Sequence, residues 1–101
     1  MNVTRIVKMT FKPECVEEFR KMFYQRRPFI MRVDGCLSVE LLNDIDNPNV
    51  IITLSRWRTA KLLNEYRKSP FFKNTWFLVK VLFGAPAEAW TLKHDDFSKG
   101  R

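Results

Sequence analysis

The chain has 101 residues, 46% hydrophobic and 29% charged, which suits one domain whose core needs neither disulfide nor metal. Three glycines and five prolines leave no linker or low-complexity tail, and no apolar run approaches the ~18–20 residues of a membrane span or the core of a signal peptide. Net charge is +7, from 18 Lys and Arg against 11 Asp and Glu, but the basic residues form no block, so a solvated basic surface is expected rather than a nucleic-acid interface.

Residues 3–11 alternate as a strand, with Val3, Arg5, Val7, Met9 and Phe11 on one face and Ile6 on the other. Lys12-Pro13-Glu14 opens a helix whose early acids and later bases match its dipole, and Val16, Phe19 and Phe23 form its apolar stripe. Pro28 is expected to kink or end that helix near Tyr24 to Arg27, leaving Phe29-Ile30-Met31 as a separate turn before Asp34-Gly35. From Cys36 the period returns to two, placing Leu37, Val39 and Leu41 opposite Ser38, Glu40 and Leu42. The run Asp44 to Asn49 reads as a hairpin loop into a third strand; a calcium loop would need a Gly and a Glu that are absent.

In the third strand, Ile51, Thr53, Ser55 and Trp57 oppose Val50, Ile52, Leu54 and Arg56. Thr59 is placed to cap a helix carrying Leu62, Leu63 and Tyr66, and Ser69-Pro70 caps and restarts a second one. There Phe72, Trp76, Val79 and Phe83 recur at helical spacing, a stripe broad enough to demand cover along most of its length. After the breaker Gly84-Ala85-Pro86, residues 88–92 make a last strand, and His94 to Arg101 form a polar tail expected to fray.

The order strand, helix, strand, strand, helix pair, strand is that of an α+β, ferredoxin-like βαββαβ domain over residues 3–93, with an antiparallel sheet and helices on one face. Right-handed crossovers put the first and third strands in the middle. The third strand is apolar on both faces, and the chain has no segment left to cover the second one. A second copy, meeting it sheet to sheet through Val50, Ile52 and Leu54 or through the opposite set, is the economical answer. Cys15 and Cys36 have no CxxC spacing and no nearby His, so reduced buried thiols in a cytoplasmic protein are expected.

This layout, with GCLSVELLNDIDNPNVIITLSRW and YRKSPFFK, resembles the antibiotic biosynthesis monooxygenase family of dimeric α+β barrels across about residues 3–93. The resemblance implies a cavity between helices and sheet, two sheets meeting face to face, and chemistry on small aromatic or quinol-like molecules without cofactor or metal. Trp57 is similar in position to the tryptophan of the polyketide oxygenases, but Thr53 and Leu63 stand where that branch has Asn and Tyr. The haem-degrading branch has Asn, Trp and His where this chain has Val7, Tyr66 and Trp76, so haem degradation is not expected. Ser69-Pro70-Phe71-Phe72 stands where many relatives have Ser-Pro-His-Phe.

Oxygenation without a cofactor needs a substrate that itself gives an electron to dioxygen, usually as its anion, and a protein that binds the rings, stabilises the anion and excludes water. Trp57, Tyr66, Trp76 and Trp90 are the candidate aromatic walls, and Thr53 and Ser55 the hydroxyl donors. Tyr66 is the best single candidate, because its O–H can donate to an oxyanion. The competing reading is that these rings are simply core. His94, the lone histidine, lies in the tail and reads as a surface residue. Beside the monooxygenase stands a non-catalytic small-molecule-binding or stress-response protein using the same cavity. An RNA-binding module ranks behind both, since the third strand offers no ring in Val50 to Ser55 on which to stack a base.

Overall fold

The computed structural model describes residues 1–95. Four strands, β1 (Val3–Thr10), β2 (Cys36–Asn43), β3 (Val50–Trp57) and β4 (Glu88–Leu92), form one antiparallel sheet in the order β2-β3-β1-β4. The helices are α1 (Val16–Met31), α2 (Ala60–Lys68) and α3 (Pro70–Lys80). This is the expected ferredoxin-like arrangement, with β1 and β3 central. The polar tail lies, beyond Asp95, outside the described residues. Among the described residues no helix is long and apolar enough to cross a membrane.

Register assigns each side chain to a face, because cross-strand partners share one. Val39, Ser55, Arg5 and Thr91 form one inner row, and Leu41, Thr53, Val7 and Ala89 the next. Further along, Met9 and Ile51 pair on the same inner face and enter the core with Phe11, Phe19, Phe23 and Val79. Phe11 stacks on Phe19 with ring centres 4.4 Å apart, joining β1 to α1. A smaller cluster of Val3, Trp57 and Leu63 closes the other end beneath α2.

The helix starts are built by the residues expected to build them. Thr59 accepts from the Leu62 N–H at 3.1 Å. Ser69 Oγ accepts from the Phe72 N–H at 3.2 Å and donates to the Tyr66 carbonyl at 2.6 Å, so one hydroxyl ends α2 and begins α3. In the β2–β3 loop, Asp44 accepts from the N–H groups of Asp46 and Asn47, which is a turn.

Four expectations need correction. The first is the break at Pro28: Pro13–Cys15 form a short 3₁₀ turn and α1 then runs through Pro28 to Met31. The proline forfeits one helical hydrogen bond, and the tertiary anchors of the last turn offset that loss. Ile30 is buried, Phe29 packs on Phe71, and Arg27 Nε donates to the Val39 carbonyl at 2.9 Å. The second is Leu37, which does not share a face with Val39. A bulge between Cys36 and Ser38 leaves it without a partner and 42% exposed.

The third concerns α3, which is half covered, not covered along most of its length. Val79 is buried, whereas Phe77 is 66% exposed and Val81, just past the helix end, is also open. The fourth is Val50, which is 7% exposed within the single chain and so contributes little to the outer sheet face. That face instead presents Leu42 and Ile52 in one row, Leu54, Ile6 and Trp90 in the next, and Leu92 beyond.

Gly35 ends the α1–β2 turn with φ +91°, and a Cβ there would lie 2.6 Å from Leu62 Cβ. Both the left-handed backbone and the close approach of α2 therefore demand glycine. Cys15 and Cys36 are free thiols, each half-buried, and burial pushes the Cys36 thiol up.

Candidate functional site

Between the inner sheet face and the three helices lies a cavity of about 430 Å³. Ligand sites fall in the range of roughly 300–1,000 Å³, so this one suits a small molecule. Thr53, Trp57, Tyr66 and Trp76, the four residues singled out from the sequence, all line it, as does Ser55. Trp90 does not: it pairs with Ile6 on the opposite sheet face, 44% exposed. Its face could be read only from the register of β4 against β1.

Each wall has a local cause. Trp57, 1% exposed, ends β3, and its indole N–H donates to Ser55 Oγ at 3.0 Å. With its polar atom satisfied, the indole offers the cavity only ring surface. Tyr66 reaches down from α2 and stacks on Trp57, centres 5.1 Å apart and planes 27° apart. Phe72 meets Tyr66 edge-on at 5.1 Å, and Trp76 lies nearly parallel to Phe72 at 6.1 Å. The rings thus form a continuous aromatic wall from β3 across α2 to α3. They are packed against one another, as the core reading expects, yet they leave a cavity open beside them.

Polar side chains come from both walls of the cavity. Thr53 and Ser55 on β3, with Arg5 on β1 beside Ser55, supply polar side chains to the sheet wall. Arg67 and Thr75 add two more from the helices. Among the described residues the lining holds no carboxylate and no histidine, and no three His, Cys, Asp or Glu gather to hold a metal ion. Arg5 and Arg67 were missed as site residues. The signal for Arg5 was available: a lone charge among Val3, Val7, Met9 and Phe11 on the inward face of β1.

Burial, and after it the Cys36 thiol, pushes the Tyr66 phenol up to about 12, with the Arg26 guanidinium opposing as the smallest of the three influences. Tyr66 is therefore a proton donor at ordinary pH, not a base. An unfolded tyrosine ionises near 10, so between pH 10 and 12 the folded chain holds the proton longer than the unfolded one. Stability from this source is complete below pH 10 and is lost as pH rises toward 12. The melting temperature of the wild type is expected to fall more steeply over that interval than that of Tyr66→Phe. Parallel curves would show that the phenol is not shifted.

The comparisons with known proteins agree with this geometry. A family model, antibiotic biosynthesis monooxygenase, matches residues 2–76. The chain belongs to this family. Solved structures similar to it include a conserved protein from Methanosarcina mazei Go1, at 20% identity and TM-score 0.89, covering 94% of each chain. Rv0793 from Mycobacterium tuberculosis is 24% identical with TM-score 0.85, covering 95% of this chain and 97% of its own. SnoaB from Streptomyces nogalater, a cofactor-independent oxygenase, is 19% identical with TM-score 0.82, covering 92% of each chain. At these identities the structures establish the shared fold of the antibiotic biosynthesis monooxygenases and nothing of the reaction. No curated protein matches the chain by sequence.

Proposed function

We propose that the chain is a cofactor-independent monooxygenase acting on a small aromatic or quinol-like molecule. Family membership supports this reading, as does the similarity of its fold to SnoaB. The observation that carries it is the cavity, lined by the stacked rings of Trp57, Tyr66, Phe72 and Trp76 and by the hydroxyl-bearing side chains of Thr53, Ser55 and Tyr66, with no acid or histidine in the lining. With no base in the wall, the substrate must ionise readily enough to react as its anion.

A ring methylene held between aromatic rings is such a group. Its carbanion passes one electron to dioxygen, the superoxide recombines at carbon, and the resulting peroxide loses water to leave a carbonyl. One methylene and one dioxygen become one ketone and one water. The walls keep water out and the hydroxyls stabilise the anion. Oxygen uptake, measured in the presence of a chelator with a panel of polycyclic phenols whose keto tautomers carry such a ring methylene, tests the proposal. Uptake above the uncatalysed rate, reduced by roughly two- to a hundredfold in Tyr66→Phe, is expected. Uptake that survives boiling of the protein would overturn it.

The second reading is a non-catalytic binding or stress-response protein, favoured by the same lack of a base in the lining. It predicts binding of the panel without oxygen uptake. Under either reading the chain pairs with a second copy through the outer sheet face, whose Ile6, Ile52, Leu54 and Trp90 would otherwise meet water.

Haem is not a substrate in this account, because Val7 and Trp76 occupy the cavity where the haem-degrading branch has Asn and His. Mixing the protein with haem and a reductant should leave the Soret band without oxygen-dependent loss. Bleaching that persists in the presence of catalase would contradict this.

A further inference from the structure

Arg5 faces inward from a central strand, half-buried, between Ser55 on one neighbouring strand and Thr91 on the other. Thr91 Oγ1 accepts from one of its nitrogens at 2.8 Å, which fixes the guanidinium and leaves its other N–H groups uncommitted to that bond. Arg67 lines the same cavity from α2, at its solvent side. The ion pairs among the described residues join Lys8 to Glu88, Arg20 to Glu17 and Arg58 to Asp34, and neither cavity arginine takes part. Burial, and after it the Arg67 charge, pull Arg5 down from its ordinary value. Two guanidinium groups thus share a largely apolar cavity whose lining contains no anion. That arrangement costs Arg5 desolvation and repulsion from Arg67, and an anion bound between them would relieve the repulsion.

We propose that the cavity's ligand is an aromatic carboxylic acid, its carboxylate received by Arg5 and Arg67 and its rings held along Trp57, Tyr66 and Trp76. Guanidinium matches a carboxylate in shape as well as charge, which suits Arg better than Lys for this task. The proposal rests on the cavity of the function proposed above, not on its oxidation chemistry. It adds a permanent anion on the substrate to the transient one formed at the reacting carbon.

Calorimetry of the full chain under nitrogen, with 2-naphthoate and its neutral isostere 2-naphthamide as probes, tests it. The acid should bind at least about tenfold more tightly than the amide at low salt. Arg5→Gln and Arg67→Gln should each remove most of that preference, while Arg56→Gln, which removes a charge from the outer face, should retain it. Arg67 is exposed, so its variant keeps the test open if Arg5→Gln folds poorly. Equal affinity for acid and amide, no binding of either, or a preference lost equally in Arg56→Gln would overturn the proposal. No oxidation takes place in this experiment. Failure of the oxygenase reading would therefore leave the preference intact, and failure of the carboxylate proposal would leave oxygen uptake on neutral substrates intact.

Discussion

Replacing Trp57 with alanine is expected to cost about 3–5 kcal/mol of stability, the range for truncating a large buried ring. Few positions in the chain carry so much. The indole is 1% exposed, joins Val3 and Leu63 in the cluster beneath α2, and stacks on Tyr66. Its loss also removes the donor to Ser55 Oγ, leaving a buried hydroxyl without that partner. For a domain of this size the melting temperature should fall by at least roughly 10 °C. Trp57→Phe keeps one six-membered ring, losing the N–H and the rest of the indole bicycle, so its fall should be clearly smaller than that of the alanine variant. Thermal unfolding of the two variants side by side checks this. Equal losses would mean that the hydrogen bond to Ser55, not ring packing, sets the value of the residue.

The second large effect concerns assembly. Leu54 sits in the middle of the outer face, in the row Glu40, Leu54, Ile6, Trp90. A carboxylate buried there in a sheet-to-sheet dimer would lie against apolar surface and, by two-fold symmetry, near its own copy. Leu54→Glu is therefore expected to turn a dimer into a monomer at micromolar concentration in sedimentation equilibrium. The fold of each chain should survive, because the substituted side chain points away from the core. A wild-type chain that sediments as a monomer would remove the dimer from the account. A Leu54→Glu variant that remains dimeric would move the interface to another surface.

Much of this architecture was legible before any coordinates, and the parts that were not share a cause. Strand alternation in β1 and β3 was legible because period-two patterning is local and each strand is long enough to show it, with Val50 at the start of β3 the exception. The caps at Thr59 and Ser69 were equally local, each a hydroxyl followed at the right distance by a helical N–H. Pro28 misled because its cost is local while its compensation is tertiary. Ile30 continues the Phe19–Phe23 stripe at a spacing of seven, visible only if the helix is carried through Pro28, and no pattern within α1 reveals that Arg27 reaches the Val39 carbonyl. Leu37 misled because a bulge is defined by the partner strand.

Of the candidate site, the four aromatic and hydroxyl residues were readable because strand and helix periodicities put them on facing walls. Trp90 was misassigned because a five-residue edge strand has too few positions to declare its faces. Arg5 was on the correct face from the start, but a charge among apolar residues was passed over as ordinary. Arg67 could not have been paired with it without the crossing of α2 over the sheet.

The central claim is that the cavity under Tyr66 brings an aromatic molecule and dioxygen together and transfers one oxygen atom. Incubation with oxygen-18 gas, followed by mass spectrometry of the product from the substrate giving the fastest oxygen uptake, tests it most directly. The account predicts one labelled oxygen in the product, in an amount that rises with protein concentration and is reduced in Tyr66→Phe. Unlabelled product, or a label that appears at the same rate without protein, would contradict it.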